Sequence, residues 1–158
     1  MGSQLVQQVL ALPDLIPRGT SRAMQARLAV TCMASIAKDD GMPPVYFAGW
    51  EPIAAALGYC LTIEDARNPE ALRRKRGNAE RAAREANSVL LKLGIAVPAT
   101  TNNPTGMKQH YALILEPQAD YTWLPRYFDH RKKLYVWEQV PKAGHSSRGR
   151  LMDAKNHG

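Results

Sequence analysis

The chain has 158 residues, of which 45% are hydrophobic, and it carries a net charge of +7 and two cysteines. The length suffices for one domain with its own core and a small extension, and two cysteines predict a reducing compartment without a disulfide framework. No apolar run approaches the roughly 18 residues of a membrane span, and the N-terminus lacks the basic region and cleavage site of a signal peptide, so we expect a soluble protein.

The first half of the chain predicts short helices around one strand. We expect a helix over Ser3–Leu12, a linker to Gly19, and a second helix that Thr20 or Ser21 N-caps and that ends near Lys38. Apolar residues that recur every fourth position predict the buried stripe of this second helix, with Ala29 and Met33 beside them: Met24, Leu28, Cys32 and Ile36.

A short strand and a short helix come next. β-branched and aromatic residues predict a strand over Val45–Gly49. The helix Glu51–Leu57 has Pro52 in its first turn, where a missing N–H is tolerated, and Gly58 closes it. Residues 59–70 are predicted to be a longer connection.

The longest predicted helix, Ala71–Leu93, has two different faces. Its apolar arc consists of small and branched residues: Leu72, Ala79, Ala82, Ala83, Ala86, Val89, Leu90 and Leu93. Its opposite side is polar and largely basic: Arg74, Asn78, Arg81, Arg84, Ser88 and Lys92. Because a glycine costs about 1 kcal/mol relative to alanine in a helix, Gly77 predicts that the regular helix begins at Asn78 as N-cap, with Arg73–Arg76 in the preceding loop. Gly94 is a good residue to end the helix.

A β-hairpin is predicted directly after this helix. Its strands are Ile95–Ala99 and Gln109–Leu115, and the Thr-, Asn-, Pro- and Gly-rich stretch between them supplies turn chemistry. The predicted fold class is therefore mainly α with a small β-hairpin, an α+β domain over residues 20–116 preceded by a helix and linker at 1–19.

The C-terminal part has a different composition. Six of the chain's eleven aromatic residues fall within seventeen positions: Tyr121, Trp123, Tyr127, Phe128, Tyr135 and Trp137. Such a cluster packs on its own domain or on a partner copy in a homodimer, or it stacks on bases as in single-strand binders. We favour packing or dimerisation for residues 117–141, and a disordered basic tail for residues 142–158.

The positive charge is concentrated in two blocks. Residues 73–92 carry seven basic and two acidic side chains, a net +5, and residues 126–158 carry eight and three, again a net +5. Clustered positive charge indicates a polyanionic partner, because each neutralised phosphate releases counterions. The alternative is a basic surface that serves solubility. We favour nucleic acid.

Two segments resemble winged-helix domains of phage and plasmid replication initiators and related regulators. These are IAKDDGMPPVYFAGWEPIAAALGY, with its acidic-Gly turn and Ile-Ala-x-x-Leu-Gly step, and NAERAAREANSVLLKLGI. The resemblance covers roughly Thr20–Leu115 and implies a winged helix-turn-helix. In it Glu51–Leu57 is the supporting helix, Asn78–Leu93 the recognition helix and Thr100–Lys108 the tip of the wing. The turn between the two helices normally has three or four residues, whereas Tyr59–Arg76 intervenes here, which suggests an insertion with its own contacts.

The candidate DNA-binding residues lie on the basic helix and beside the wing. Arginines on the helix can pair with guanine edges or phosphates; the alternative is a solvated face with Glu80–Arg84 and Arg81–Glu85 pairs. Asn78 can read adenine unless it is used as the N-cap. Lys108 and His110 contact the DNA backbone or minor groove, or are ordinary polar residues of a hairpin. The full candidate set is Arg73, Arg74, Lys75, Arg76, Asn78, Arg81, Arg84, Ser88, Lys108 and His110.

These observations predict a sequence-specific double-stranded DNA-binding protein. Its expected role is transcriptional repressor or replication initiator of a prokaryotic mobile element, in the cytoplasm of a prokaryotic cell or phage-infected host. The alternatives are a protein-interaction winged-helix module, for instance in replisome loading, and a single-stranded nucleic-acid binder. The histidines do not pair with cysteines at zinc spacing and the glycines make no phosphate loop, so we expect no enzyme, metal or cofactor.

Overall fold

The computed structural model describes residues 2–10, 20–38, 42–99, 109–116, 119–132 and 134–142. They form a mixed α and β structure with small antiparallel sheets. The helices are α1 (Gly2–Leu10), α2 (Ser21–Ile36), α3 (Glu51–Ala56), α4 (Ile63–Ala66) and α5 (Pro69–Lys92). The strands are β1 (Val45–Tyr46), β2 (Ala96–Pro98), β3 (Tyr111–Leu113), β4 (Tyr121–Asp129) and β5 (Leu134–Pro141).

The first sheet has three antiparallel strands in the order β1-β3-β2. Ala112 in the central strand pairs with Val45 on one side and with Val97 on the other. The predicted hairpin is therefore confirmed as β2 and β3, although both strands are shorter than the sequence indicates, and β1 joins them as the third strand. Alternating side chains give the sheet two buried faces, one against the helices and one against β4 and β5.

The helix α2 buries mainly alanines, together with Val30 and Met33. Thr20 is its N-cap, as predicted, and accepts a hydrogen bond from the Ala23 amide at 3.1 Å. The predicted stripe is wrong at Met24 and Leu28, which are 66% and 45% exposed. The buried residues of the helix are Ala23, Ala26, Ala29, Val30, Met33 and Ala34. Small side chains let the backbones of α1 and α5 approach α2 closely, which large side chains prevent.

The helix α5 is continuous over 24 residues, and its N-cap, Asn68, lies ten residues before the predicted N-cap Asn78. Asn68 caps it by accepting hydrogen bonds from the amides of Glu70 and Ala71, at 3.2 and 3.3 Å, and Pro69 follows in the first turn. The expectations that Asn78 is the N-cap and that Arg73–Arg76 form a loop are therefore wrong. A cap and a proline at the first helical position outweigh the roughly 1 kcal/mol cost of one interior glycine.

The end of α5 follows the predicted pattern. Gly94 has a φ of +71°, which glycine adopts without strain. Its amide donates to the Leu91 carbonyl at 3.2 Å, and the Ile95 amide donates to the Leu90 carbonyl at 2.9 Å. This pair of bonds is a Schellman motif. It satisfies the last carbonyls of the helix and directs the chain into β2.

The connection between α3 and α5 is shorter than the predicted insertion, because α5 starts early. Residues 57–68 separate the two helices and contain α4. The helix α4 has a capping box, in which the Thr62 hydroxyl accepts from the Asp65 amide and the Asp65 carboxylate accepts from the Thr62 amide. Tyr59, Leu61 and Ile63 are exposed.

The aromatic segment forms a second hairpin, β4 and β5, with Phe128 opposite Tyr135 and a bulge between Pro125 and Tyr127. Trp137 is buried against Ala112 and Ile114 of the first sheet, and Trp123 and Tyr135 pack beside it. The structure is thus layered as helices, first sheet and hairpin. The predicted linker, wing tip and basic tail lie outside the described residues, apart from residue 142.

Candidate nucleic-acid interface

One face of α5 presents the polar residues that the sequence singles out. Arg74, Arg81 and Ser88 are seven residues apart and therefore lie along one line of the helix. Asn78 and Arg84 flank this line, and all five residues are exposed. The opposite face is buried through Ala79, Ala82, Ala83, Ala86 and Leu90. The predicted division of this helix into a buried and a presented face is confirmed.

The arginines on this face are only weakly engaged by the protein. Among the described residues, Arg74 and Arg81 have no hydrogen-bond or ion-pair partner. Arg84 pairs with Glu80 at 2.6 Å, but the Arg84 side chain is 75% exposed. An exposed pair four residues apart on a helix contributes only about 0.3–0.5 kcal/mol, so Arg84 can exchange it for another anion at little cost.

The four basic residues Arg73–Arg76 fall into two pairs, one exposed and one in contact with neighbouring elements. Arg73 and Arg74 are exposed. Lys75 binds Asp65 with an Nζ–Oδ1 distance of 2.5 Å, and the Arg76 guanidinium lies 5.6 Å from the centre of the Trp50 ring. Lys75 and Arg76 therefore tie α5 to α4 and to the start of α3.

Asp65 holds the start of α5 in place through two segments at once. It accepts hydrogen bonds from the Lys75 ammonium, the Thr62 amide and the Thr62 hydroxyl. These donors lower the pKa of Asp65 from 3.8 to about 2, with the bond from Lys75 as the largest cause. The carboxylate therefore stays charged at neutral pH, and it fixes the connection beside the basic face.

A buried asparagine that the sequence pattern did not single out lies on α5, close to Tyr111 of β3. Asn87 is 8% exposed, and its side-chain oxygen has no hydrogen-bond partner among the described residues. Burial raises the pKa of Tyr111, and the positive charge of Arg84 opposes this rise. Its position could have been noticed in the sequence, because Asn87 borders the apolar arc, four residues after Ala83 and three before Leu90.

A shallow groove runs along the exposed face. It is lined by Gly77, Glu80, Arg81, Arg84, Glu85 and Ser88. No described atom lies within 4 Å of a Cβ placed at Gly77. The position therefore has room for a side chain, and the glycine leaves this part of the groove open. The Ser88 hydroxyl donates to the Glu85 carbonyl at 2.7 Å, which leaves its oxygen able to accept.

His110 lies away from the solvent-exposed set. It is half-buried, and its ring meets that of Tyr135 edge to face with 5.4 Å between centroids. Burial, and next the charge of Lys38, lower the pKa of His110 from 6.5, so the imidazole is neutral at pH 7. Lys108, the other wing candidate, lies outside the described residues.

Comparisons of the chain with protein-family models, curated proteins and solved structures found no match. Within the described ranges, no three His, Cys, Asp or Glu side chains are grouped so that they can hold a metal ion. In the same residues, no helix is both long enough and apolar enough to cross a membrane. Cys32 and Cys60 are free thiols.

Proposed function

We propose that this protein is a sequence-specific double-stranded DNA-binding protein that inserts the exposed face of α5 into a major groove. The observation that carries the proposal is the line of Arg74, Arg81 and Ser88 with Arg84 beside it, exposed on a helix whose other face is buried. Guanidinium groups in such a position can each pair with two acceptors on a guanine edge or grip a phosphate.

The order of elements supports the proposal. The chain runs α2, β1, α3, α4, α5, β2 and β3, and β1 joins the β2–β3 hairpin in one sheet. This is the order expected of a winged helix-turn-helix, with α3 as the supporting helix, α5 as the recognition helix and the 100–108 segment as the wing. Residues 57–68 exceed the usual turn of three or four residues.

The early start of α5 supports a second set of contacts. The 24 helical residues extend about 36 Å. A major groove is about 12 Å wide, so only part of the helix can lie inside it. We therefore assign Arg81, Arg84 and Ser88 to the groove, and Arg73 and Arg74 to phosphates beside it. Phosphate contacts position a protein on the duplex, and base contacts provide specificity.

The biological role follows the resemblance to phage and plasmid proteins. We propose a transcriptional repressor or a replication initiator of a prokaryotic mobile element, acting in the cytoplasm where its DNA is. A homodimer is also proposed, through the outer face of the β4–β5 hairpin, where Leu124 and Tyr127 are 45% and 61% exposed. Sedimentation of the free protein tests the dimer, and a palindromic target would support it.

The experiment measures affinity for a pool of random duplexes by fluorescence anisotropy across a salt series. We expect the double variant Arg81→Ala and Arg84→Ala to bind at least about tenfold more weakly at low salt. We also expect the slope of log affinity against log salt to fall by at most about 2, because the two charges that are lost lie in the groove and displace counterions there without each neutralising a phosphate.

The matched control is the double variant Arg131→Ala and Lys132→Ala, which removes the same charge at the turn between β4 and β5. This control is expected to keep most of the wild-type affinity. Equal losses in the two variants would mean that net charge alone determines binding, and the assignment of α5 as the contact helix would be wrong.

A further inference from the structure

A cavity of about 120 Å³ lies between the edge of the first sheet and the β4–β5 hairpin, apart from the exposed face of α5. Its wall is apolar and largely aromatic, through Val45, Phe47, Phe128, Leu134 and Tyr135. Phe128 and Tyr135 are 4.9 Å apart between centroids and inclined by 65°, so the wall offers both ring faces and ring edges. A space of this size is comparable to the apolar cavities that accept a benzene-sized molecule.

The polar groups of the cavity determine which substituent a bound aromatic ring can carry. Lys38 and His110 are the basic members of the lining, and the Lys38 ammonium lies 5.0 Å from the centre of the Phe47 ring. Among the described residues, Lys38 has no carboxylate partner; Asp39 and Asp40, which follow it in sequence, lie outside them. The charge of Lys38 reaches across the cavity, since it contributes to lowering the pKa of His110.

The positive charge of Lys38 determines which class of ligand the aromatic cavity binds. An aromatic cage binds cations when it is free of positive charge, but here an ammonium already lies on the Phe47 ring. A second cation would be repelled by Lys38, whereas a carboxylate would gain a charge-assisted hydrogen bond from it. We propose that this cavity binds a small single-ring aromatic carboxylate, with the ring among Phe47, Phe128 and Tyr135 and the carboxylate on the Lys38 ammonium.

The test is a titration of the full-length, ¹⁵N-labelled protein with benzoate, benzyl alcohol and benzylamine, followed by amide chemical shifts. We expect benzoate to shift the amides of Lys38, Phe47, His110 and Tyr135, with a dissociation constant of about 1 mM, as few atoms give. Benzylamine should bind at least about tenfold more weakly. Equal affinity for benzoate and benzylamine, or shifts confined to other amides, would overturn the proposal.

Two pairs of variants separate the roles of the ring site and of the charge. Lys38→Met should weaken benzoate about tenfold and leave benzyl alcohol unchanged, and Lys132→Met is its matched control. Leu134→Trp fills the cavity and should abolish the shifts caused by benzoate and by benzyl alcohol. Ile63→Trp, at an exposed position of α4, is its control and should leave these shifts intact. If Leu134→Trp does not fold, the Lys38→Met result alone decides, because that side chain is exposed. Benzoate binding unaffected by Lys38→Met would contradict the proposal, and loss of DNA binding in the α5 variants has no bearing on it.

Discussion

Arg81 and Arg84 differ from Lys75 and Arg76 of the same helix, because their guanidinium groups remain available to bind a partner. Lys75 and Arg76 are engaged by Asp65 and Trp50, while among the described residues Arg81 has no partner and Arg84 only an exposed one. The contacts of Lys75 and Arg76 could not be predicted from the sequence, because Asp65 and Trp50 belong to other segments, which only the packing of the fold places beside α5. The run of four basic residues looks uniform in sequence and is divided only by tertiary contacts.

Replacing Arg81 and Arg84 by lysine separates charge from base recognition. Lysine keeps the positive charge but cannot present the planar fork that pairs with two acceptors on guanine. For a duplex that the wild type selects, we expect each lost pair to reduce discrimination against a mismatched base by about 1–3 kcal/mol. Binding to random duplexes should remain within about threefold of the wild type, because the phosphate term is unchanged. Competition assays measure both quantities, and unaltered discrimination would contradict base contact by these residues.

The Asp65→Asn variant tests the anchor of α5 through its pH dependence. The folded-state pKa of Asp65 is lowered from 3.8 to about 2, so its carboxylate stabilises the fold above the unfolded pKa. This contribution is lost as the pH falls from about 4 to about 2. We expect Asp65→Asn to be less stable than the wild type at pH 7, with the difference shrinking through that window. Urea unfolding at several pH values measures it, and a constant difference would exclude the carboxylate as the cause.

At the scale of elements, the two faces of α5 were predictable but its first residue was not. Periodicity places alanines and leucines on one side whatever the start of the helix, and this part of the prediction is confirmed. The start depends on competing local signals, and the sequence offers two asparagine caps, Asn68 and Asn78. Gly77 does not end or start the helix, since one interior glycine costs only about 1 kcal/mol.

The buried face of α2 was also difficult to predict from the sequence. Its sequence contains two stripes with helical spacing, one of large residues that includes Met24 and Leu28, and one of alanines. Hydrophobicity alone favours the large residues, but the close approach of neighbouring helices selects the small ones. Only the distance between helices distinguishes the two, and that distance is a tertiary property.

Alanine substitution at the two asparagines tests where α5 begins. Asn68→Ala removes the side chain that accepts from the amides of Glu70 and Ala71, and should destabilise the protein by about 1 kcal/mol. Asn78→Ala lies at an exposed helical position and should be neutral or stabilising by a few tenths of a kcal/mol. Chemical unfolding measures both. The reverse order would place the start of the helix at Asn78.

At the scale of the molecule, the hairpin β4–β5 makes the first sheet an inner layer. Ala112 and Ile114 face Trp137, while Leu113 and Tyr111 face the helices. The sequence indicated the aromatic cluster, but not that its rings would cover a sheet only three strands wide. That arrangement depends both on the alternation of the β3 side chains between the two faces of the sheet and on the register of β4 with β5.

Removing Trp137 should therefore destabilise the whole fold. Trp137 is 9% exposed, and truncating a buried tryptophan to alanine costs about 3–5 kcal/mol. The control His130→Ala is on the same hairpin, where the side chain is exposed, and should cost less than about 1 kcal/mol. Thermal and urea unfolding compare the two, and equal effects would mean that the hairpin does not pack on the sheet.

The central claim is that α5 reads the sequence of duplex DNA. Its most direct test is repeated selection of bound molecules from random duplexes by the full-length protein, with single strands of the same length selected in parallel. We predict enrichment of a common motif among the duplexes and weaker retention of the single strands. The absence of any enriched duplex motif, or stronger retention of single strands than of duplexes, would contradict it.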